Sequence, residues 1–178
     1  MSKYAGTKTE QNLWEAFSGE CKARTRYAFY ADAAKNAGYE QMAALYLETA
    51  EQEKAHARLW FDELSCMSST EENLVSAADG EHMEWTDMYA RMAREAREEG
   101  FPELAQKFEL VGTVEAVHEK RYRRLVEHLK ANGTFRDDVP LGWKCRNCGY
   151  IHEGEEAPEV CPVCAYPKAY FERNALNY

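Results

Sequence analysis

The chain has 178 residues, 45% of them hydrophobic and 30% charged, with a net charge of −9. That is the balance of a globular chain of one domain, or one domain plus a small module, and the absence of any basic block argues against a nucleic-acid surface. No apolar run approaches the ~18 residues of a membrane span, and the polar stretch Met1–Glu10 lacks a signal peptide's apolar core, so a cytoplasmic address is the expectation.

Up to about residue 133 the chain is rich in Ala, Glu, Leu, Arg and Met, with Pro102 its only proline, which is helical composition. Gly38, Gly100 and Gly133 are spaced like helix stops. They predict helices over 8–37, 39–66, 70–99 and 102–132, with Pro102 in a first turn and Ser69-x-x-Glu72 as a capping box. From Asp138 on the texture changes: prolines stand at 140, 158, 162 and 167 and glycines at 142, 149 and 154. So short a stretch needs a staple rather than a core. The expected division is a helical domain at 1–136 and a small module at 137–178.

The last helix carries Leu104, Phe108, Val111, Glu115, His118, Tyr122, Leu125 and Leu129 at alternating steps of four and three, a bundle seam. Glu115 and His118 therefore fall on the inward stripe. The second helix repeats this with Met42, Leu45, Thr49, Glu53, His56, Trp60 and Glu63. The third places Leu74, Ala77, Glu81, Glu84 and Met88 in phase, and the first Leu13, Phe17, Glu20, Tyr27, Ala31 and Ala34. Inward carboxylates are costly unless a cation compensates them. Bridging carboxylates with imidazoles suit iron or manganese. One E-x-x-H is a weak signal; two in seam phase, with glutamates in phase on the other two helices, follow the general template of carboxylate-bridged di-iron bundles. Glu63 and Glu95 are expected to be solvated or at helix ends.

Six cysteines are present. Cys21 and Cys66 read as small buried hydrophobes. Cys145-x2-Cys148 and Cys161-x2-Cys164, twelve residues apart, can close a tetrahedral thiolate site. Gly149 and Ala165 follow the second cysteines and suit tight knuckles, and Trp143, Tyr150, Tyr170 and Phe171 could shield the metal. Spacing alone leaves zinc and iron open; attachment to a di-iron bundle favours iron, since zinc would add only rigidity.

Taken together, F-S-G-E ending at Glu20, E-K-A-H at 53–56, G-E-H-M-E at 80–84, V-E-A-V-H-E-K-R at 114–121, W-K-C-R-N-C-G-Y and C-P-V-C resemble the rubrerythrins over nearly the whole chain. The resemblance implies a ferritin-like four-helix bundle followed by a rubredoxin-like four-cysteine iron domain. It implies a non-haem peroxidase that reduces hydrogen peroxide to water in oxidative-stress protection, with electrons relayed from a reductase or rubredoxin through the cysteine-bound iron. Glu20, Glu53, His56, Glu81, Glu84, Glu115 and His118 match the family's di-iron ligand positions. Glu84 and His56 match the pair that exchange on one iron with oxidation state, and Tyr27 and Tyr89 match tyrosines near the pocket. A ferroxidase, an oxygen reductase or a scaffold with structural zinc are the competing functions. His82, His128 and His152 read as surface histidines.

The expected bundle poses a topological problem. Its second and third helices run parallel, so their link must return along the bundle. From the ligand layer to Cys66 is about 15 Å and from Thr70 to Glu81 about 16 Å at ~1.5 Å per residue; four extended residues reach only ~14 Å. Either the third helix starts late, near Asp79, or the first two helices of one chain pair with the last two of another. The capping box and the seam phase of Leu74 and Ala77 favour the early start, hence a domain-swapped homodimer.

Overall fold

The computed structural model describes residues 2–176. Its elements in chain order are α1 (Lys8–Asn36), α2 (Glu40–Glu63), α3 (Thr70–Met83), a π-turn (Glu84–Met88), α4 (Tyr89–Glu98), α5 (Pro102–Lys130), β1 (Arg136–Cys145), β2 (Ile151–Glu156) and β3 (Phe171–Arg173). The residues up to Ser69 and those from Thr70 form two compact units. Long helices followed by a small sheet that carries four cysteines make the fold class ferritin-like plus rubredoxin-like, as expected. No helix is long and apolar enough to cross a membrane.

In the first unit α1 opens on Thr7, whose hydroxyl accepts from the Glu10 N–H (3.2 Å), while Glu10 accepts from the Gly6 N–H (2.8 Å). Such a cap contributes ~1 kcal/mol. The two helices pack through small residues, Ala23 and Ala31 of α1 and Ala43, Ala50 and Ala57 of α2, which let the backbones approach. Aromatic pairs flank this ridge: Phe17–Phe61 at 5.3 Å and Tyr27–Tyr46 at 6.1 Å between centroids. Each is worth about 0.5–1.5 kcal/mol beyond its area.

The predicted second helix runs to 66, but α2 ends at Glu63 because Ser65 turns into the left-handed region (φ 56°). The Cys66 N–H then reaches back to the Phe61 carbonyl. No glycine marks this stop, so the sequence pattern overshoots it. At the end of α5 the left-handed residue is Asn132 (φ 54°) rather than Gly133. Asparagine tolerates that conformation, and the Gly133 N–H closes the cap on the His128 carbonyl (2.7 Å).

In the second unit α5 packs against α3 and α4, burying Ala105, Gly112 and Val126. The predicted seam on α5 lies beside this buried line: Leu104 is 45% and Val111 38% exposed, as Met42 and Leu45 on α2 are 55% and 56% exposed. Each unit covers only part of the apolar stripe of its helices. Helix α3 begins at Thr70, so the early start holds.

The sheet has the order β2-β1-β3, both pairs antiparallel. Its core is Trp143, Cys145, Ala157, Cys161 and Phe171, with Phe135, Leu141, Tyr150 and Cys164 packed against it. Tyr170 does not join this core; it is largely exposed and stacks edge-on with Tyr166 at 4.5 Å.

Candidate metal centres

All the expected metal residues but Glu84 form three groups, within each of which donor atoms lie within 4.8 Å of one another: Glu20, Glu53 and His56; Glu81, Glu115 and His118; and the four cysteines. The first triad lies in the unit up to Ser69 and the second in the unit from Thr70.

The two helical triads share one local design. Residues three apart on a helix are neighbours on one face, so His56 Nδ1 lies 2.9 Å from Glu53 Oε2 and His118 Nδ1 lies 2.8 Å from Glu115 Oε2. A third carboxylate joins each pair from another helix: Glu20 from α1, and Glu81 from α3, with Oε2 3.6 Å from His118 Nδ1. The pivotal glutamates are well covered, with side chains 16% (Glu53) and 14% (Glu115) exposed.

Glu84 stands beside the second triad. Burial, then Glu81 and Glu115, push its carboxyl above the usual carboxylate range. Burial, Glu115 and Glu84 likewise raise the Tyr89 hydroxyl. Carboxylates crowded in this way are what a metal ion would neutralise. Tyr27 lies in an aromatic cluster with Tyr30 (6.3 Å) and Tyr46, on the face of Glu20 and about 10 Å along the axis from it at ~1.5 Å per residue.

In the module Cys145 Sγ and Cys164 Sγ are 3.7 Å apart, as are Cys148 Sγ and Cys161 Sγ. Gly149 (φ 79°) and Ala165 (φ 59°) shape the knuckles. The N–H groups of Tyr150 and Tyr166, one residue further on, point at Cys148 and Cys164. The Tyr150 N–H favours a Cys148 thiolate, yet lost hydration and the three other sulfurs push this thiol up to about 12. The Asn147 side chain, helped by the Tyr166 N–H, pulls Cys164 down to about 6. Four sulfurs this close cannot all be ionised unaided, and a tetrahedral cation removes the conflict.

Several polar residues escaped the sequence reading. Glu119 receives the Trp85 indole N–H (2.7 Å), lies 3.0 Å from His82 Nδ1 and pairs with Arg123, which also holds Asp79 (2.8 Å). The i,i+4 spacing of Glu119 and Arg123 was the available signal. His82 is thus engaged rather than free. His128 and His152 are partly buried rather than on the surface. Glu63 does sit at a helix end, bound by Tyr4 and Lys3, and Glu95 is a surface partner of Arg91.

Residues 11–126 match the family model described as Rubrerythrin, and residues 143–172 match Rubrerythrin, rubredoxin-like domain. The rubrerythrin of Porphyromonas gingivalis is 46% identical over 186 residues, covering 97% of this chain and 93% of that protein. Rubrerythrin-1 of Clostridium acetobutylicum is 44% identical over 195 residues and the rubrerythrin of Nitratidesulfovibrio vulgaris 40% over 191, each alignment covering all of both chains. The carboxylate–histidine groups and the four-cysteine cluster are the donor sets of a di-iron domain and a rubredoxin-like iron site. With both modules matched in order and at full length, the chain belongs to the rubrerythrin family.

Proposed function

We propose that this protein is a non-haem di-iron peroxidase that reduces hydrogen peroxide to water in oxidative-stress protection. The balance is H2O2 + 2H+ + 2e− → 2H2O, and the observation that carries the reading is the pairing of two E-x-x-H triads with a four-thiolate cage in one chain. The working parts are the helices, 1–136, and the module, 137–178. Glu20, Glu53, His56, Glu81, Glu84, Glu115 and His118 hold the iron pair, and Cys145, Cys148, Cys161 and Cys164 hold a single iron. When bound, the pair supplies two electrons and Lewis acidity to peroxide, and the single iron passes electrons one at a time from a reductase or rubredoxin.

The chain's own groups place and move protons. Glu84, while it is not a ligand, would pass a proton from its carboxyl oxygen to a departing oxygen of peroxide. By their positions, His56 and Glu84 would be the two groups able to take turns holding one iron. Tyr27 supplies a hydroxyl hydrogen-bond donor on the Glu20 face.

The two triads complete one another in a homodimer that exchanges helix pairs, α1–α2 of one chain against α3–α5 of the other. Three observations support this. The link from Glu63 to Thr70 has six intervening residues, an extended reach of about 20 Å, against a return of about 27 Å along His56–Glu63 and Thr70–Glu81 at ~1.5 Å per residue. On the seams, Met42 and Leu45 of α2 and Leu104, Val111, Leu125 and Leu129 of α5 are exposed apolar side chains. The Trp60 indole N–H is buried with no acceptor among the described residues.

The test is metal analysis of protein purified without oxygen, with absorption spectra before and after peroxide or oxygen. About three irons per chain, and oxidation of the ferrous pair faster with peroxide than with oxygen, is the expected result. Zinc in the module, or no metal among the helices, would defeat the relay. Faster oxidation by oxygen would make the protein an oxygen reductase.

A further inference from the structure

The helical stretch from Thr70 to Glu98 is interrupted by the π-turn Glu84–Met88, closed by the Tyr89 N–H on the Glu84 carbonyl. Five residues along an uninterrupted α-helix, Tyr89 would stand about 140° around the axis from Glu84; one π-turn absorbs a residue and brings it to roughly the i+4 position, on the same face. The consequence is visible in the packing. A Cβ placed on Gly112 of α5 would lie 3.5 Å from Tyr89 Cβ, and the Tyr89 ring packs on Phe108 at 6.2 Å. The π-turn is therefore what sets Tyr89 against α5 on the Glu84 side.

A π-turn gives up regular α-helical hydrogen bonding and needs something to hold it. Two contacts stand at this turn. The Thr86 hydroxyl donates to the His82 carbonyl (2.6 Å), a back-bond that loosens the helical ladder. The Trp85 indole N–H, from within the turn, donates to Glu119 of α5 (2.7 Å). Glu119 is itself held by Arg123, which is tied to Asp79 on α3, and by His82, whose ring meets Trp85 edge-on at 5.5 Å. Its side chain is only 16% exposed, so these bonds form in a partly desolvated place.

We infer that Glu119 is a positioning residue: through Trp85 it pins the Glu84–Met88 π-turn to α5 and so sets Glu84 and Tyr89 on the metal-binding face beside Glu81 and Glu115. The effect on the metal rests on the di-iron reading proposed above; the pin itself does not. No metal ligand is altered in the test, which uses the full-length, iron-loaded protein and three variants. Trp85→Phe keeps the ring and removes the N–H. Glu119→Leu removes the acceptor. Glu119→Gln keeps an acceptor oxygen and serves as the conservative rescue.

Hydrogen exchange at the Tyr89 amide should quicken roughly tenfold in Trp85→Phe and Glu119→Leu, the opening expected when a hydrogen bond to a charged group is lost. It should stay near wild type in Glu119→Gln, and amides in the module should not change in any variant. The first two variants should also bind less iron among the helices and oxidise it with peroxide about tenfold more slowly. Unchanged Tyr89 exchange in Trp85→Phe and Glu119→Leu overturns the pin. Faster exchange with unaltered iron content and oxidation rate overturns the positioning role. If wild-type protein binds no iron among its helices, the positioning role falls with the proposed function, and the exchange measurement still decides the pin.

Discussion

The module and the helices meet the same problem, holding an ion with clustered anionic donors, in different ways. The cysteine cage is closed by twenty consecutive residues, Cys145 to Cys164, whose sulfurs are in place around one point. The helical donors come from α1, α2, α3 and α5 and gather as two triads, one in each compact unit. A short loop with two knuckles needs only local backbone geometry to make its site. A site drawn from four helices, as proposed above, would depend on how their apolar stripes are covered. The module should therefore behave as a self-sufficient site, and the carboxylate site as one linked to assembly.

The largest effect should come from breaking the module alone. Cys161→Ser removes a buried ligand and should lower donor-driven peroxide turnover by more than about 100-fold, since the thiolate cage is no longer closed. One peroxide-driven oxidation of the helical iron should survive, read by stopped-flow absorption. Equal loss of both activities would show that the two sites are not in series.

Breaking the helical site in halves sharpens the comparison further. Neither Glu53→Ala/His56→Ala nor Glu115→Ala/His118→Ala should have activity alone. Unfolded together and refolded with iron, they should recover about a quarter of wild-type activity, because half the exchanged dimers are mixed and each carries one intact site. No recovery would mean that both triads of a site come from one chain. The same mixing of Cys145 and Cys161 variants should not rebuild a module.

A smaller effect separates the stabilities of the two parts. Ser65→Gly relieves the left-handed residue that ends α2 and should stabilise the first unit by ~1 kcal/mol. Circular dichroism at 222 nm in denaturant should show it, while the midpoint of the module's thiolate absorption stays put. The smallest effect concerns pH. Burial, with Arg173 and Arg124, holds the pKa of His128 below its ordinary value of 6.5. A base whose folded pKa is depressed binds more protons unfolded, so stability at this end of α5 is lost as pH falls below about 6.5. Melting temperatures between pH 5 and 7 should fall in the wild type, and less steeply in His128→Gln.

Much of this was legible in the chain itself. The i,i+3 spacing of Glu53 with His56 and of Glu115 with His118 is a local property of any α-helix, so their pairing did not depend on the fold. The C-x2-C knuckles are local in the same sense, and Pro102 and Gly100 mark a helix boundary by their own backbone preferences. The helix stops without glycine were less legible: Ser65 and Asn132 adopt positive φ because the capping hydrogen bonds compensate them. Tyr170 looked like core because it is aromatic, but the sheet register buries its neighbour Phe171 instead.

The sequence by itself determined which potential donors stand paired, because spacing along a helix or knuckle is set by residue identity and a fixed period. Only the tertiary structure decided which side of each helix is covered, that the helical donors gather as two triads, and that one π-turn shifts the phase after Glu84. Those features follow from packing between segments far apart in the chain. The Trp85–Glu119 bond, spanning 34 positions, leaves no periodic trace in the residues between.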